Sequence, residues 1–132
     1  MTRGLLAGAV ADANYARGNI RAWMPRFVEP NLSRNLRSAR RFDVLAADLG
    51  LTPAQLSLAW TLERGEHVVP IPGATSLAHL EENVGATAVS LAPEVIAQVA
   101  ALFDGDAIHG PRYPAKAQAQ VATELLANEI LA

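Results

Sequence analysis

Apolar residues recur at helical spacing in the stretch that follows Pro30. They stand three or four positions apart, and arginines occupy the other faces. The apolar positions are Leu32, Leu36, Ala39, Phe42, Leu45 and Leu49. Gly50 is a helix stop signal. The pattern predicts an amphipathic helix between Pro30 and Gly50.

The next predicted helix opens with strong capping signals. Thr52 is a favourable N-cap, Pro53 suits the first helical position, and Gln55 completes a capping box. The apolar residues of this helix face more than one side: Leu56, Leu58, Ala59, Trp60 and Leu62. Such a helix is expected to be covered by neighbours on most of its surface.

Residues 68–71, Val-Val-Pro-Ile, form the one clear strand that the sequence predicts. A continuous apolar run of this kind is typical of a strand buried on both faces in a parallel sheet. A third helix is predicted from about Leu77 to Gly85, capped by Thr75 or Ser76. Because every parallel strand needs neighbours for its backbone hydrogen bonds, the chain reads as one βα unit of a larger sheet.

The two ends of the chain carry weaker patterns. Residues 1–30 are punctuated by glycine and proline and are predicted to be irregular. A fourth helix is predicted to begin at Pro93. After the turn-rich residues 104–114, the tail from 115 to 132 has a weaker helical pattern.

Composition and charge exclude several classes of function. The 132 residues are 51% apolar, carry a formal net charge of −2 and include no cysteine, which excludes disulfides and thiolate metal sites. No basic bias indicates a nucleic-acid partner, and no apolar run approaches the roughly 18 residues of a membrane span. The three histidines lack metal-ligand spacing: His67, His79 and His109. We therefore predict a cytoplasmic protein without metal, nucleic acid or membrane partners.

Four arginines on the first predicted helix leave two interpretations open: Arg34, Arg37, Arg40 and Arg41. They could form a basic stripe for nucleic acid, or they could be the solvated face of an amphipathic helix. The acidic net charge favours the solvated face.

Four motifs resemble the carboxyl-terminal part of the aldo-keto reductases. "VVPIPGATSLAHLEENVGA" at 68–86 resembles their last βα unit, and "RGLLAG" at 3–8 is similar to the loop after their seventh barrel strand. "GLTPAQLSLAWTLERG" at 50–65 resembles the helix before the last strand. "HGPRYP" at 109–114 is similar to the carboxyl-terminal segment of one bacterial-type branch. The motifs stand in the family's order and cover about residues 3–121.

The resemblance implies a fold and an organisation. The family fold is a (β/α)8 barrel of about 250 residues, so the chain is expected to be an α/β, mostly helical, carboxyl-terminal part of such a barrel. The expected segments are the loop after strand seven at 1–30, helices at 31–65, strand eight with the cofactor-loop helix at 68–86, and carboxyl-terminal helices and tail at 93–132.

The resemblance also implies an oxidoreductase that transfers a hydride between NADPH and a carbonyl or alcohol substrate. The family's Asp, Tyr, Lys and His tetrad comes from the first four barrel strands, and no segment here matches them. Lys116 follows every motif, and Tyr15 and Tyr113 are expected to be ordinary packing residues. No catalytic residue is therefore predicted, and the chain alone is expected not to turn over substrate.

Three groups of cofactor contacts are carried over from the resemblance. Backbone amides and a guanidinium are expected along the pyrophosphate, at Arg3, Gly4 and Leu5. A helix N-terminus, which favours anions, is expected to face the adenosine 2′-phosphate, at Gly73, Ala74, Thr75 and Ser76. The adenine and ribose edge is expected at Glu82 and Asn83.

The turn at residues 73–76, called the phosphate turn below, departs from the family pattern. Family members usually place Lys or Arg in this turn or one turn into the following helix. This chain has Ala74, Thr75 and Ser76 in the turn, and His79 at the helical position where Arg is common. NADP selectivity then depends on hydroxyls, amides and protonated His79. The alternatives are that Thr75 or Ser76 serves only as an N-cap, and that Glu82 and Asn83 are plain helix surface.

The sequence leaves alternative functions and partners open. One alternative is a non-catalytic nucleotide-binding or interaction module, and another is an inactive remnant. Besides NADP(H), the candidate partners are the amino-terminal barrel portion and a second copy of the chain, because an open strand and uncovered apolar faces favour association.

Overall fold

The computed structural model describes residues 2–15, 17–104 and 107–121. The chain divides into two compact units. The first comprises Met1–Val10 with Ala39–Leu102, and the second comprises Ala11–Ser38 with Phe103–Ala132.

The described residues form helices and turns. The α-helices are α1 at Asn31–Asp48, α2 at Pro53–Leu62, α3 at Leu77–Gly85, α4 at Pro93–Leu102 and the short α5 at Ala115–Gln118. Turns of 3-10 helix occupy Thr2–Ala7, Ile20–Trp23, Pro25–Phe27 and Ala86–Ala88. The amino-terminal region predicted to be irregular thus contains three such turns. Residues 122–132 of the predicted helical tail lie outside the described residues.

The helix boundaries follow the capping signals of the sequence. The Thr52 hydroxyl accepts a hydrogen bond from the Gln55 amide, and the Gln55 side chain accepts one from the Thr52 amide, both at 3.1 Å. The predicted capping box is therefore confirmed. After α1, Gly50 adopts a φ of 68°, a left-handed conformation that glycine tolerates without steric cost.

The strand predicted at 68–71 is not formed. No β-strand occurs among residues 2–15, 17–104 and 107–121, and residues 68–74 have neither helical nor strand pairing. The physical reason is that a strand exists only with a neighbour, and the described residues supply none. Residues 68–74 are thus an unpaired segment between α2 and α3.

Helix α2 is the centre of the first unit. Its side chains Leu56, Leu58 and Ala59 are buried, in agreement with the prediction that it is covered on several sides. It contacts α3, the Thr2–Ala7 turn and the Ala86–Ala88 turn. The indole N–H of Trp60 donates a hydrogen bond of 3.1 Å to the Ile96 carbonyl, which joins α2 to α4.

A buried asparagine organises the second unit. The Asn35 amide group donates to the carbonyls of Arg26 and His109 at 3.0 and 2.9 Å, and its oxygen accepts from the His109 amide at 2.8 Å. The Arg26 guanidinium donates to the Gly110 carbonyl at 2.9 Å. These bonds hold the segment around His109 against the first half of α1.

Among the described residues, no helix combines the length and the apolar character that crossing a membrane requires.

Candidate cofactor-binding site

The first predicted cofactor segment lies in the turn Thr2–Ala7. The backbone φ is 43° at Thr2, 53° at Arg3 and 90° at Gly4, so three successive residues have the positive φ of the left-handed region. This conformation is natural for glycine but costs about 1–2 kcal/mol for an arginine. The Gly4 carbonyl accepts a hydrogen bond from the Ala9 amide at 3.0 Å, which closes the turn. Leu5 is half-buried and Arg3 is exposed.

The second predicted segment is a fully exposed approach to a helix. Gly73, Ala74, Thr75 and Ser76 are all exposed, and a side chain placed at Gly73 would meet nothing within 4 Å. Ser76 is the N-cap of α3, because its hydroxyl accepts from the His79 amide at 3.2 Å. Thr75 makes no such bond, so of the two predicted caps it is Ser76 that caps the helix.

The amino terminus of α3 presents donors that an anion could use. The Leu77 and Ala78 amides make no hydrogen bond to any residue that the structure describes. Free first-turn amides and the helix dipole together favour a negatively charged group at this position. The capping hydroxyl of Ser76 also retains its own proton, which can be donated to an incoming oxygen.

The third predicted group lies further along the same helix. Glu82 is half-buried and follows Ser76 by six positions, which corresponds to about 9 Å along the helix axis. Asn83 is buried. Plain helix surface is therefore the wrong interpretation for Asn83.

The two main cofactor segments lie on a common support. The Thr2–Ala7 turn and α3 both contact α2 within the first unit. The approach of α3 to α2 is close, since a Cβ added to Gly85 would lie 3.2 Å from the Gln55 side-chain nitrogen. In this arrangement, residues 73–76, which precede α3, and the amino terminus of α3 are exposed to solvent.

The charge at this surface is modest. His79 is exposed in the first turn of α3, and residues 73–85 contain no lysine or arginine. Arg3 is the one permanent cation among the predicted cofactor residues. Recognition of a phosphate here would thus rest mainly on amides, hydroxyls and Arg3.

The tyrosines and the lysine of the chain lie in the second unit. The Tyr15 hydroxyl donates to the Phe27 carbonyl at 3.0 Å. Burial raises the pKa of Tyr15 above its ordinary value, with nearby Arg21 opposing this in part. A phenol that donates a proton near neutral pH needs its pKa lowered by a cation. The Tyr15 hydroxyl is thus bonded to the backbone of its own unit, and Lys116 lies on α5.

Two polar residues of structural consequence were not anticipated from the sequence. Asn35 falls on the apolar stripe of α1, between Leu32 and Ala39, and a polar residue in such a stripe indicates a specific buried partner. Asp43 has an Oδ1 atom that is out of contact with solvent and without a hydrogen-bond donor among the described residues. Burial raises the pKa of the Asp43 carboxyl.

Comparison with protein families decides the assignment of the chain. The model described as "Aldo/keto reductase family" matches residues 1–104, which include the turn at Thr2–Ala7 and helices α1 to α4. The chain belongs to the aldo/keto reductase family. Membership implies a (β/α)8 barrel as the fold of the family's proteins.

Two curated relatives extend the match beyond this region. A Schizosaccharomyces pombe protein, aldo-keto reductase yakc with NADP(+) in its name, is 34% identical over 120 residues, covering 90% of this chain and 35% of the relative. A Glycine max protein, probable aldo-keto reductase 1, is 37% identical over 111 residues, covering 84% of this chain and 32% of the relative. The chain thus spans about a third of the length of these relatives. No solved structure matches it.

Proposed function

We propose that this chain is the cofactor-binding carboxyl-terminal portion of an aldo-keto reductase, an NADP(H)-dependent oxidoreductase that acts in the cytoplasm. The full barrel would transfer a hydride between NADPH and a carbonyl or alcohol substrate. The chain alone would hold part of the nucleotide without catalysing the reaction. The expected segments keep their roles: the loop after strand seven at 1–30, helices at 31–65, the cofactor unit at 68–86 and the carboxyl-terminal region at 93–132.

The observation that carries this proposal is the open amino terminus of α3. Its first two amides have no acceptor among the described residues, and its cap is a serine hydroxyl. The approach from Gly73 to Ser76 is exposed, so a phosphate can reach these donors without any rearrangement. The NADP(+) in the name of the fission-yeast relative supports the choice of nucleotide.

The residues present fit a phosphorylated dinucleotide. Thr75, Ser76 and the first-turn amides of α3 would hold the 2′-phosphate, and Glu82 and Asn83 would contact the adenine and ribose edge. Arg3 with the Gly4 and Leu5 amides would lie along the pyrophosphate. The cofactor, when bound, supplies the hydride, and these residues bind and orient it.

The chemistry of proton donation belongs to another part of the family's barrel. Tyr15 is bonded to a backbone carbonyl and its pKa is raised, which is the opposite of the tuning that the reaction needs. We therefore assign no catalytic residue to this chain.

A fluorescence titration with NADPH tests the proposal. Saturable enhancement of nicotinamide fluorescence is expected, and its absence at high micromolar cofactor would contradict the cofactor site in this chain.

His79→Arg is expected to tighten NADPH binding by roughly fivefold to tenfold, because it places a permanent cation in the first turn of α3. NADH, which has no 2′-phosphate, should gain little.

His67→Arg is the matched control for this substitution. His67 is also exposed but lies before the phosphate turn. If both variants tightened binding equally, the gain would come from general attraction to a polyanion rather than from a site at α3. Equal gains for NADPH and NADH would likewise contradict a 2′-phosphate contact.

A further inference from the structure

The carboxyl-terminal half of α1 and the last turns of α4 border a groove in the first unit. Its volume is about 530 Å³, which lies within the range of roughly 300–1,000 Å³ that is typical of sites for small ligands. Four of the lining side chains are apolar: Val44, Leu45, Ala101 and Leu102. Three more are polar: Arg40, Arg41 and Gln98. None of them belongs to the predicted cofactor segments.

The apolar part of the groove is open to solvent. Val44 is 61% exposed, although a branched aliphatic side chain is usually covered in a folded domain. Leu45 and Leu102 are half-buried, so each keeps part of its surface available for contact. Among the described residues that line the groove none is aromatic, so a flat aromatic ligand would find no ring to stack on. The surface therefore suits an aliphatic chain.

Two guanidinium groups lie next to this apolar surface on α1. Arg40 precedes Val44 by four positions and Arg41 precedes Leu45 by four, so each arginine lies one helical turn from an apolar lining residue. Both arginines are exposed, and neither guanidinium forms a hydrogen bond or an ion pair with any residue in the described ranges. Their N–H donors are therefore available to an incoming acceptor.

The charge of the groove favours an anion. Its described lining includes two cations and no acidic residue, although the whole chain has a formal net charge of −2. A planar guanidinium can bind a carboxylate through two parallel hydrogen bonds. The side-chain amide of Gln98 on α4 offers a further N–H donor. The groove thus complements a negatively charged headgroup joined to an apolar body.

We propose that this groove, the α1/α4 groove, binds a free aliphatic monocarboxylate, with the carboxylate on the two arginines and the aliphatic chain over the apolar lining residues. This site goes beyond the proposed cofactor function and does not depend on it. A neutral alcohol of the same length would leave the guanidinium groups without an anion. A short carboxylate would leave the apolar surface uncovered.

Isothermal titration calorimetry of the whole chain with decanoate, below its micelle concentration, tests this inference. Saturable one-to-one binding is expected. Decan-1-ol, which has the same chain length and no charge, should bind roughly tenfold more weakly. Butanoate, which has the charge and only a short chain, should not saturate at the same concentrations. In methyl NMR spectra, decanoate should shift the resonances of Val44, Leu45 and Leu102.

Replacing both arginines, as Arg40→Gln with Arg41→Gln, is expected to weaken decanoate binding by roughly tenfold and to leave decan-1-ol binding unchanged. Arg34→Gln is the matched control, because Arg34 is exposed on the same helix and does not line the groove. It should change the affinity for decanoate by less than about twofold. Unchanged circular dichroism shows that each variant is folded.

Several outcomes would overturn the inference. They are the absence of saturable binding, equal affinities for decanoate and decan-1-ol, and full decanoate affinity in the double arginine variant. Methyl shifts centred on Leu77 and Leu80, which are exposed on α3, would place the ligand on another apolar surface. Binding to vesicles of anionic phospholipid without binding to monomeric decanoate would identify a membrane surface instead of a free carboxylate.

Discussion

Asn35 shows how one buried side chain can connect distant parts of a sequence. Its three hydrogen bonds reach backbone groups 9 and 74 positions away. Because the bonded groups are partly buried backbone atoms, removing Asn35 would leave them without partners. Asn35 therefore contributes more to the stability of the second unit than its size suggests.

Asn35→Ala is predicted to lower the free energy of unfolding by about 3 kcal/mol, because three hydrogen bonds of about 1 kcal/mol each are lost. Urea denaturation measures the change, and amide exchange at His109 should accelerate because its acceptor is gone. Asn31→Ala is the matched control. Asn31 makes one such bond, to the Pro25 carbonyl at 3.0 Å, and should cost about 1 kcal/mol. Equal costs for the two variants would contradict this role of Asn35.

Asp43 carries a predicted pH dependence. Since burial raises the pKa of its carboxyl, the folded chain binds the proton more tightly than the unfolded chain does. Its stabilising contribution is therefore complete below the unfolded pKa of about 3.9 and is lost as the pH rises through the folded pKa. At neutral pH the buried carboxylate is a net cost.

Asp43→Asn should raise the free energy of unfolding at pH 7 by about 0.5 kcal/mol, a small value because the residue is only half-buried. The gain should vanish near pH 3, where the native carboxyl is itself protonated. Urea denaturation at several pH values measures both effects. The exposed Glu66→Gln should show no comparable gain, and a stabilisation of Asp43→Asn that persists at pH 3 would contradict the assignment.

At the scale of elements, α3 combines a structural cap with a proposed ligand site. Ser76 serves the helix through its bond to the His79 amide, whereas Thr75 makes no cap bond. The helix-capping role and the proposed ligand-binding role can therefore be tested separately at these two hydroxyls. If the proposed site is correct, a change at Thr75 would affect the ligand alone, and a change at Ser76 would affect both the cap and the ligand.

Ser76→Ala is predicted to destabilise α3 by about 1 kcal/mol, because alanine cannot cap a helix. Exchange of the Leu80 amide, which bonds to the Ser76 carbonyl, should accelerate. Ser76→Gly retains most of the capping preference and should leave α3 nearly intact while it still weakens NADPH binding. Thr75→Ala should weaken NADPH binding without any effect on exchange. Full NADPH affinity in both Ser76→Gly and Thr75→Ala would mean that neither hydroxyl contacts the phosphate.

For the whole molecule, local signals predicted the helices well. Each of these signals depends on residues only a few positions apart, so it could be predicted from the sequence. They are the capping box at Thr52, the start of α4 at Pro93 and the extent of α3. The family was also readable, since the motifs stand in order along the chain.

Features that depend on distant partners could not be predicted in the same way. The strand predicted at 68–71 does not form, because a β-strand needs a neighbouring strand for its backbone hydrogen bonds and the described residues supply none. The bonds between Asn35 and His109 link positions too far apart for any local pattern to pair them. The positive φ of Arg3 likewise has no signal in its residue type, because such residues rarely adopt it.

The most direct test of the cofactor assignment is an amide chemical-shift titration of the isotopically labelled chain with NADP+. The predicted result is a saturable set of shifts confined to Gly4, Leu5, the phosphate turn at 73–76 and the first turn of α3. The amides that hold the second unit together, such as His109, should not move. Shifts that fail to saturate, or a saturating set centred on the second unit, would contradict the proposed cofactor site.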